Sequence, residues 1–291
     1  MSTATIIRVE GHRRLIRVED GSQQSAIVRG RKQHPVAGDN VEVSCQKDGT
    51  WVVESIDPRT SEFCRADHHG RKQIIAANIE QVVITIAPEP VPSRDLPGAY
   101  LSACNLLDIP AIFVINKMDL MPEYTEDIIH LYKSWADENN IRVIEASSKE
   151  RTGLTELISA CKGLNTILVG QSGAGKSSLI QELIPDLEIK TGALAKLTGK
   201  GAHTTTATTL YELEGEAFIY DSPGVWEYGL WQIDEIDLAH SFVDFEPYIG
   251  NCKFSNCTHN HEPICAIKQA VEDKEIHEWR WQSYLRILRN L

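Results

Sequence analysis

No apolar run in the sequence approaches the ~20 residues that a membrane span needs, and the N-terminal "MSTATIIRVEGHRRLIRVEDG" alternates polar with apolar instead of building a signal-peptide core. A cytoplasmic protein with no membrane partner is expected. An even cysteine count is also lacking: there are seven, which disfavours a closed disulfide framework. Cys45, Cys64, Cys104 and Cys161 are scattered and read as inert thiols in a reducing compartment. Excess positive charge is missing too, and a net charge of −12 argues against the whole chain wrapping nucleic acid. No internal repeat or low-complexity tract is found. What remains is 291 residues, 42% hydrophobic and 24% charged, the composition of a soluble globular protein with about two or three domains.

Between Thr5 and Ile56 five short alternating stretches, "TIIRVEG", "RLIRVED", "SAIVRG", "NVEVSC" and "TWVVESI", are punctuated by Gly, Asp and Ser. They predict a small closed barrel of the oligonucleotide-binding (OB-fold) kind over residues 1–61, the alternative being a small barrel with no ligand. Residues 1–40 hold seven cations against four anions, so a local basic face is compatible with an acidic chain. Arg13, Arg14, Arg29, Arg31 and Lys32 are its candidate phosphate contacts. Residues 57–72 have no periodicity and read as a linker. From residue 72 to 230 apolar strands alternate with helical segments, which predicts a six-stranded α/β domain. Residues 231–291 turn helical around a Cys/His cluster.

"GQSGAGKS" fits G-x-x-x-x-G-K-[ST] between a strand and a helix, a phosphate cradle. Gly170, Gln171, Ser172, Gly173, Ala174, Gly175, Lys176, Ser177 and Ser178 form it, with Lys176 on the β/γ oxygens and Ser177 on Mg²⁺. Upstream, "NKMD" ends a strand. Asp119 can accept both N1–H and the exocyclic amine of guanine, Asn116 can bond the opposite edge, and Lys117 can lie along the ring. "ASSKERTGL" supplies Ser147, Ser148 and Lys149 as a backbone loop for the guanine oxygen. In "DSPG", Asp221 is expected to hold Mg²⁺ and the Gly224 N–H to sense the γ-phosphate. A third magnesium contact is expected from Thr205, with Thr204 and Thr206 as alternatives. GTP, GDP and Mg²⁺ are therefore the expected ligands.

The base-reading motif precedes the cradle, a cyclic rotation of the usual guanine-nucleotide order. Rotation is permissible because the termini of a compact α/β domain can lie close together. It ties whatever follows residue 224 to the segment that moves on hydrolysis. Val225 stands where related switches carry a water-positioning glutamine, so slow intrinsic hydrolysis is expected, with His203 the in-chain candidate to orient water. His203, Thr205 and Lys176 form the expected catalytic set.

"CKFSNCTHNHEPIC" spaces Cys252, Cys257, His259 and Cys265 as C-x4-C-x-H-x5-C, a full donor set for one structural Zn²⁺, with His261 as a substitute for His259.

Rotated GTPase motifs, an N-terminal barrel, "AANIEQVV", the "GKGAHTTT" loop and a C-terminal Cys-rich helical domain resemble the RsgA family of bacterial small-subunit-dependent GTPases over essentially the whole chain. The resemblance implies a monomeric, ribosome-stimulated GTPase that binds the small ribosomal subunit and its 16S rRNA late in maturation and leaves on hydrolysis. One departure is Ala202, where the family usually carries Arg. Two other readings are a GTP-dependent switch gripping a protein partner and a metal-delivery GTPase with the Cys cluster as cargo site.

Overall fold

The computed structural model describes residues 2–29, 34–67, 69–92, 94–184, 207–213, 217–223 and 228–291. Strands β1 (Ser2–Glu10), β2 (Arg13–Val18), β3 (Gln23–Val28), β4 (Asn40–Cys45) and β5 (Trp51–Ile56) hydrogen-bond in the order β1-β2-β3-β5-β4, and a β4–β1 pairing closes the barrel. Alternation decides the faces: Ile6, Ile16, Ala26, Val41, Val43 and Val53 point inward and are buried. The expected five-stranded barrel is present.

β1 changes partners along its length. Ser2–Thr5 pair with β4, the register slips between Ile6 and Arg8, and Arg8 then pairs with Thr209 of a strand 201 residues away. A bulge of this kind bends a strand and lets it leave one sheet for another. Barrel and nucleotide domain consequently share one eleven-stranded sheet.

The segment read as a linker is structured, which corrects that expectation. β6 (Glu62–Ala66) and β7 (Lys72–Ala77) form a hairpin that buries Phe63 and Cys64. Just ahead of it, Arg59 reaches the fully buried Asp39 with Nε–Oδ1 at 2.7 Å, and that carboxylate holds the guanidinium above its ordinary pKa against the cost of burial. The hairpin also receives the chain at 228–232: Tyr228 donates its hydroxyl to the Cys64 carbonyl, Ala66 N–H donates to Gly229 O and Gln232 N–H to Gly70 O.

Six strands make the nucleotide sheet: β8 (Gln81–Ile86), β9 (Ala111–Ile115), β10 (Val143–Glu145), β11 (Thr166–Gly170), β12 (Thr209–Leu213) and β13 (Ala217–Asp221), in the order β10-β9-β8-β11-β13-β12. All pairs are parallel except β12–β13. All six residues of β8 are buried, as a central strand covered on both faces requires, and each buried Val or Ile there contributes ~1.5–3 kcal/mol. Helices α1 (Leu96–Leu106), α2 (Glu123–Glu138), α3 (Leu154–Cys161) and α4 (Lys176–Leu183) cover the sheet, α2 turning Ile129, Tyr132, Trp135 and Ala136 inward at helical spacing.

Helices α5 (Glu235–His240), α6 (Ala266–Glu272) and α7 (Glu278–Leu288) complete the C-terminal part. Arg280 is its anchor: fully buried, paired with Asp244 at 3.0 Å, with its guanidinium 4.4 Å from the Trp135 ring of α2 and 4.3 Å from that of Phe242. No helix among the described residues is long and apolar enough to cross a membrane.

Candidate functional site

β11 runs into α4 through the glycine-rich loop. At Gly170 a Cβ would stand 2.1 Å from the Thr85 carbonyl, and at Gly175, with φ +89°, it would stand 2.3 Å from Asn116 Nδ2. Only glycine lets the loop pass that close to β8 and to the base reader. Lys176 is buried and donates to the carbonyls of Gly170 and Gln171 at 3.0 and 3.2 Å. Burial lowers its pKa to about 8, with the Asp221 charge opposing the shift. Ser177 Oγ donates to Asp221 Oδ2 at 2.8 Å, so the two expected magnesium ligands meet across a sequence gap of 44 residues. Ser222 Oγ donates to Leu168 O at 2.6 Å and pins the end of β13 to β11. Gln171, Ser172, Gly173, Ala174 and Ser178 lie along the same loop and first helical turn.

The base reader forms at the end of β9, beside that loop. Ser147 Oγ donates to Asp119 Oδ1 at 2.7 Å and Lys149 Nζ lies 3.3 Å from Oδ2. The Ser147 hydrogen bond, with help from Lys149, holds the Asp119 carboxyl below its ordinary pKa against the effect of burial. An ionised acceptor is what guanine recognition requires. Asn116, expected at the opposite base edge, is also a link within the protein. It is fully buried, donates Nδ2 to Ala174 O at 3.0 Å and accepts the Ser148 N–H at 3.2 Å, so it ties three motifs together.

Gly224, His203 and Thr205, together with Thr204, Thr206, Ala202 and Val225, lie outside the described residues, as do Arg31 and Lys32 of the barrel. Among the remaining barrel cations, Arg14 donates to the carbonyls of Pro35, Gly11 and Arg13 and so braces its own loops, while Arg13 and Arg29 remain near the surface.

The cysteine cluster converges. One donor atom from each of Cys252, Cys257, His259 and Cys265 falls within 4.8 Å of the others, with Cys252 Sγ 3.5 Å from His259 Nδ1 and 3.9 Å from Cys265 Sγ. Ligands about 2.3 Å from a tetrahedral ion are about 3.8 Å apart, so the set fits zinc. The His259 ring nitrogen stands with the three thiols, whereas His261 is exposed and outside the group. Burial pushes the Cys257 thiol up to about 12 and the His259 imidazole down, favouring neutral donors until a cation compensates them. The loop is tied to α7: Trp281 Nε1 donates to His259 O at 2.9 Å and Tyr284 Oη to Thr258 O at 2.8 Å.

The model of the family described as RsgA GTPase matches residues 56–231. The chain belongs to the RsgA GTPase family. It is similar to the small ribosomal subunit biogenesis GTPase RsgA of Hahella chejuensis, at 40% identity over 91% of this chain and 76% of that one. The RsgA of Photorhabdus laumondii is 38% identical over 95% and 81%. Among solved structures, YjeQ from Thermotoga maritima superposes with a TM-score of 0.73 at 26% identity, covering 100% of this chain and 98% of that one. YloQ, described as a circularly permuted GTPase, gives 0.69 at 27% identity over 100% and 94%. GTPase chemistry and the rotated motif order therefore hold for this chain.

Sequence reasoning missed Glu262, which accepts from Thr258 N–H, Thr258 Oγ1 and Asn260 N–H and shapes the loop between Cys257 and Cys265. Burial pushes its carboxyl up, but the Thr258 and Asn260 hydrogen bonds outweigh it and hold the pKa at about 2. Its signal, an acid four residues after a threonine, is too common to single out.

Proposed function

We propose that this chain binds the small ribosomal subunit late in its maturation, that contact with the subunit accelerates hydrolysis of GTP to GDP and phosphate, and that hydrolysis drives release. One observation carries the reading: phosphate cradle, base reader and magnesium pair meet at one strand-end edge in a chain whose relatives bear the name of small-subunit biogenesis GTPases.

Asp119 accepts from the guanine edge, and Asn116 keeps the loops on either side of it in register. The Lys176 ammonium, desolvated against two loop carbonyls, moves to the β/γ oxygens when phosphate arrives. Ser177 and Asp221 would hold Mg²⁺, which neutralises charge developing on the transferring phosphoryl group. Water attacks the γ-phosphorus and the bond to the β–γ bridging oxygen breaks. His203 orients that water and Thr205 completes the magnesium contacts, roles read from sequence position. Val225 offers no side-chain hydrogen bond to the nucleophile, so the unassisted rate is low.

Arg13 and Arg29, exposed on the barrel, would contact rRNA phosphates. Cys252, Cys257, His259 and Cys265 would hold one structural zinc; four protein donors leave no open position for cargo exchange. Elemental analysis is expected to give one zinc per chain, and a metal-free, fully folded preparation overturns that assignment. The protein acts as a cytoplasmic monomer. The deciding experiment is multiple-turnover GTP hydrolysis with and without purified small subunits, with stimulation of about tenfold or more expected. A free chain as fast as the complex sinks the conditional mechanism.

A further inference from the structure

A short segment after β8 touches both ends of the nucleotide site. On the phosphate side Gln171 Nε2 donates to Val91 O at 3.0 Å, and Pro90 Cδ stands 3.3 Å from where a Cβ on Gly173 would lie. On the base side Lys117 Nζ donates to Glu89 O at 2.9 Å, and Tyr124 Oη donates to Glu89 Oε2 at 2.6 Å. Lys117 also passes the cradle, its Cε 3.7 Å from the position of a Cβ on Gly175. Nothing in the core requires Tyr124 to be where it is: it is 68% exposed. Its bond to the Glu89 carboxylate fixes it there.

We propose that Glu89–Val91 is a strap that sets how long the guanine nucleotide stays bound, with Glu89 as the positioning residue for Lys117. The proposal rests on the guanine-nucleotide reading above. Lysine carries a flexible four-carbon stem, and laying that stem along a base costs rotamer freedom. The Glu89 carbonyl holds the ammonium before nucleotide arrives, so the stem is already extended beside the cradle. The Tyr124 bond steadies the residue whose carbonyl does this. Preorganisation of this kind acts mainly on dissociation, because variants of one site differ more in off-rate than in on-rate.

The test is stopped-flow release of a fluorescent GDP analogue from the full chain. Tyr124→Phe and Glu89→Ala are each expected to speed release roughly three- to tenfold, the effect of one ordinary hydrogen bond at an exposed position. The double variant is expected to be no faster than either single one, because both remove the same bond. Glu89→Gln is expected to stay near wild type, since its amide oxygen still accepts from Tyr124. Single-turnover hydrolysis of bound GTP is expected to be unchanged in all four. Unaltered release in the single variants, additive acceleration in the double one, or a Gln variant as fast as Ala overturns the strap. A wild-type chain that fails to bind the GDP analogue sinks the nucleotide reading itself, whereas tight binding with release indifferent to these substitutions sinks only the strap.

Discussion

The barrel and the C-terminal domain grip the nucleotide domain by opposite means. The C-terminal domain uses a desolvated stack, in which Arg280 lies between Trp135 and Phe242, pairs with Asp244, and Trp135 packs on Phe113 of β9. The barrel uses the edge pairing of Arg8 with Thr209 and an ion pair between Arg17 and Glu212 at 2.9 Å, with Glu212 56% exposed. A buried pair is hard to loosen because separating it strands a charge; an exposed one is screened by salt and worth little. The tighter grip is on α2, which follows the base reader, and the lighter one on β12, which follows the stretch holding His203 and Thr205. In chain order the C-terminal domain follows β13. Its packing on α1 and α2 adds a second attachment, beside the base.

Substitutions can test the contrast in order of expected size. Asp119→Asn removes the guanine acceptor on the firmly held side and is expected to weaken GTP binding on the order of 10⁴-fold while gaining xanthosine triphosphate, read by competition binding. A variant still preferring GTP removes Asp119 from base selection. Arg280→Met strands Asp244 in the interior and is expected to cost about 3–5 kcal/mol of stability by chemical denaturation. Adding Asp244→Leu is expected to recover much of that loss; no recovery means the stack, not the charge pair, is the grip.

On the phosphate side the expected effect depends on pH. Free Lys176 loses its proton near pH 8, against an ordinary value of 10.5, whereas phosphate contact keeps it protonated. Binding above that pH must take up a proton, so GDP affinity is expected to fall by up to roughly tenfold per pH unit between pH 8 and 10 and to level off below 8. A flat affinity profile across that window refutes the shift. Smallest is Arg17→Ala, expected to cost under about 1 kcal/mol at low salt and nothing measurable in 1 M salt. A larger, salt-insensitive loss there breaks the contrast between the two grips.

Much of this was legible in the sequence because it is local. Five alternating runs, the glycine-rich loop after "TILV" and the spacing of Cys252, Cys257, His259 and Cys265 each announce themselves within a few residues. Long-range contacts do not. Phe63 and Cys64 sit among polar neighbours, and only Tyr228, 164 residues on, reveals why they are buried. Nothing next to Arg280 in "WRWQ" signals burial of its charge; Arg280 is inside because Asp244 and two rings surround it. The links of Asn116 to Ala174 and Ser148 are hidden for the same reason, since they exist only after loops 58 and 32 residues away have arrived.

The β1–β12 seam also orders events during synthesis. The barrel can close once β5 has left the ribosome, since β1, β2, β3, β4 and β5 satisfy one another by residue 56. Thr209 arrives 153 residues later, roughly 8 to 30 s at ordinary rates of translation. Throughout that interval the far half of β1 is a nascent chain's open sheet edge, and open edges invite pairing with the wrong strand. The strand answers with a bulge and a charge where the edge is bare, Arg8 beside Glu10, so a newborn barrel is protected until its own distant partner is made.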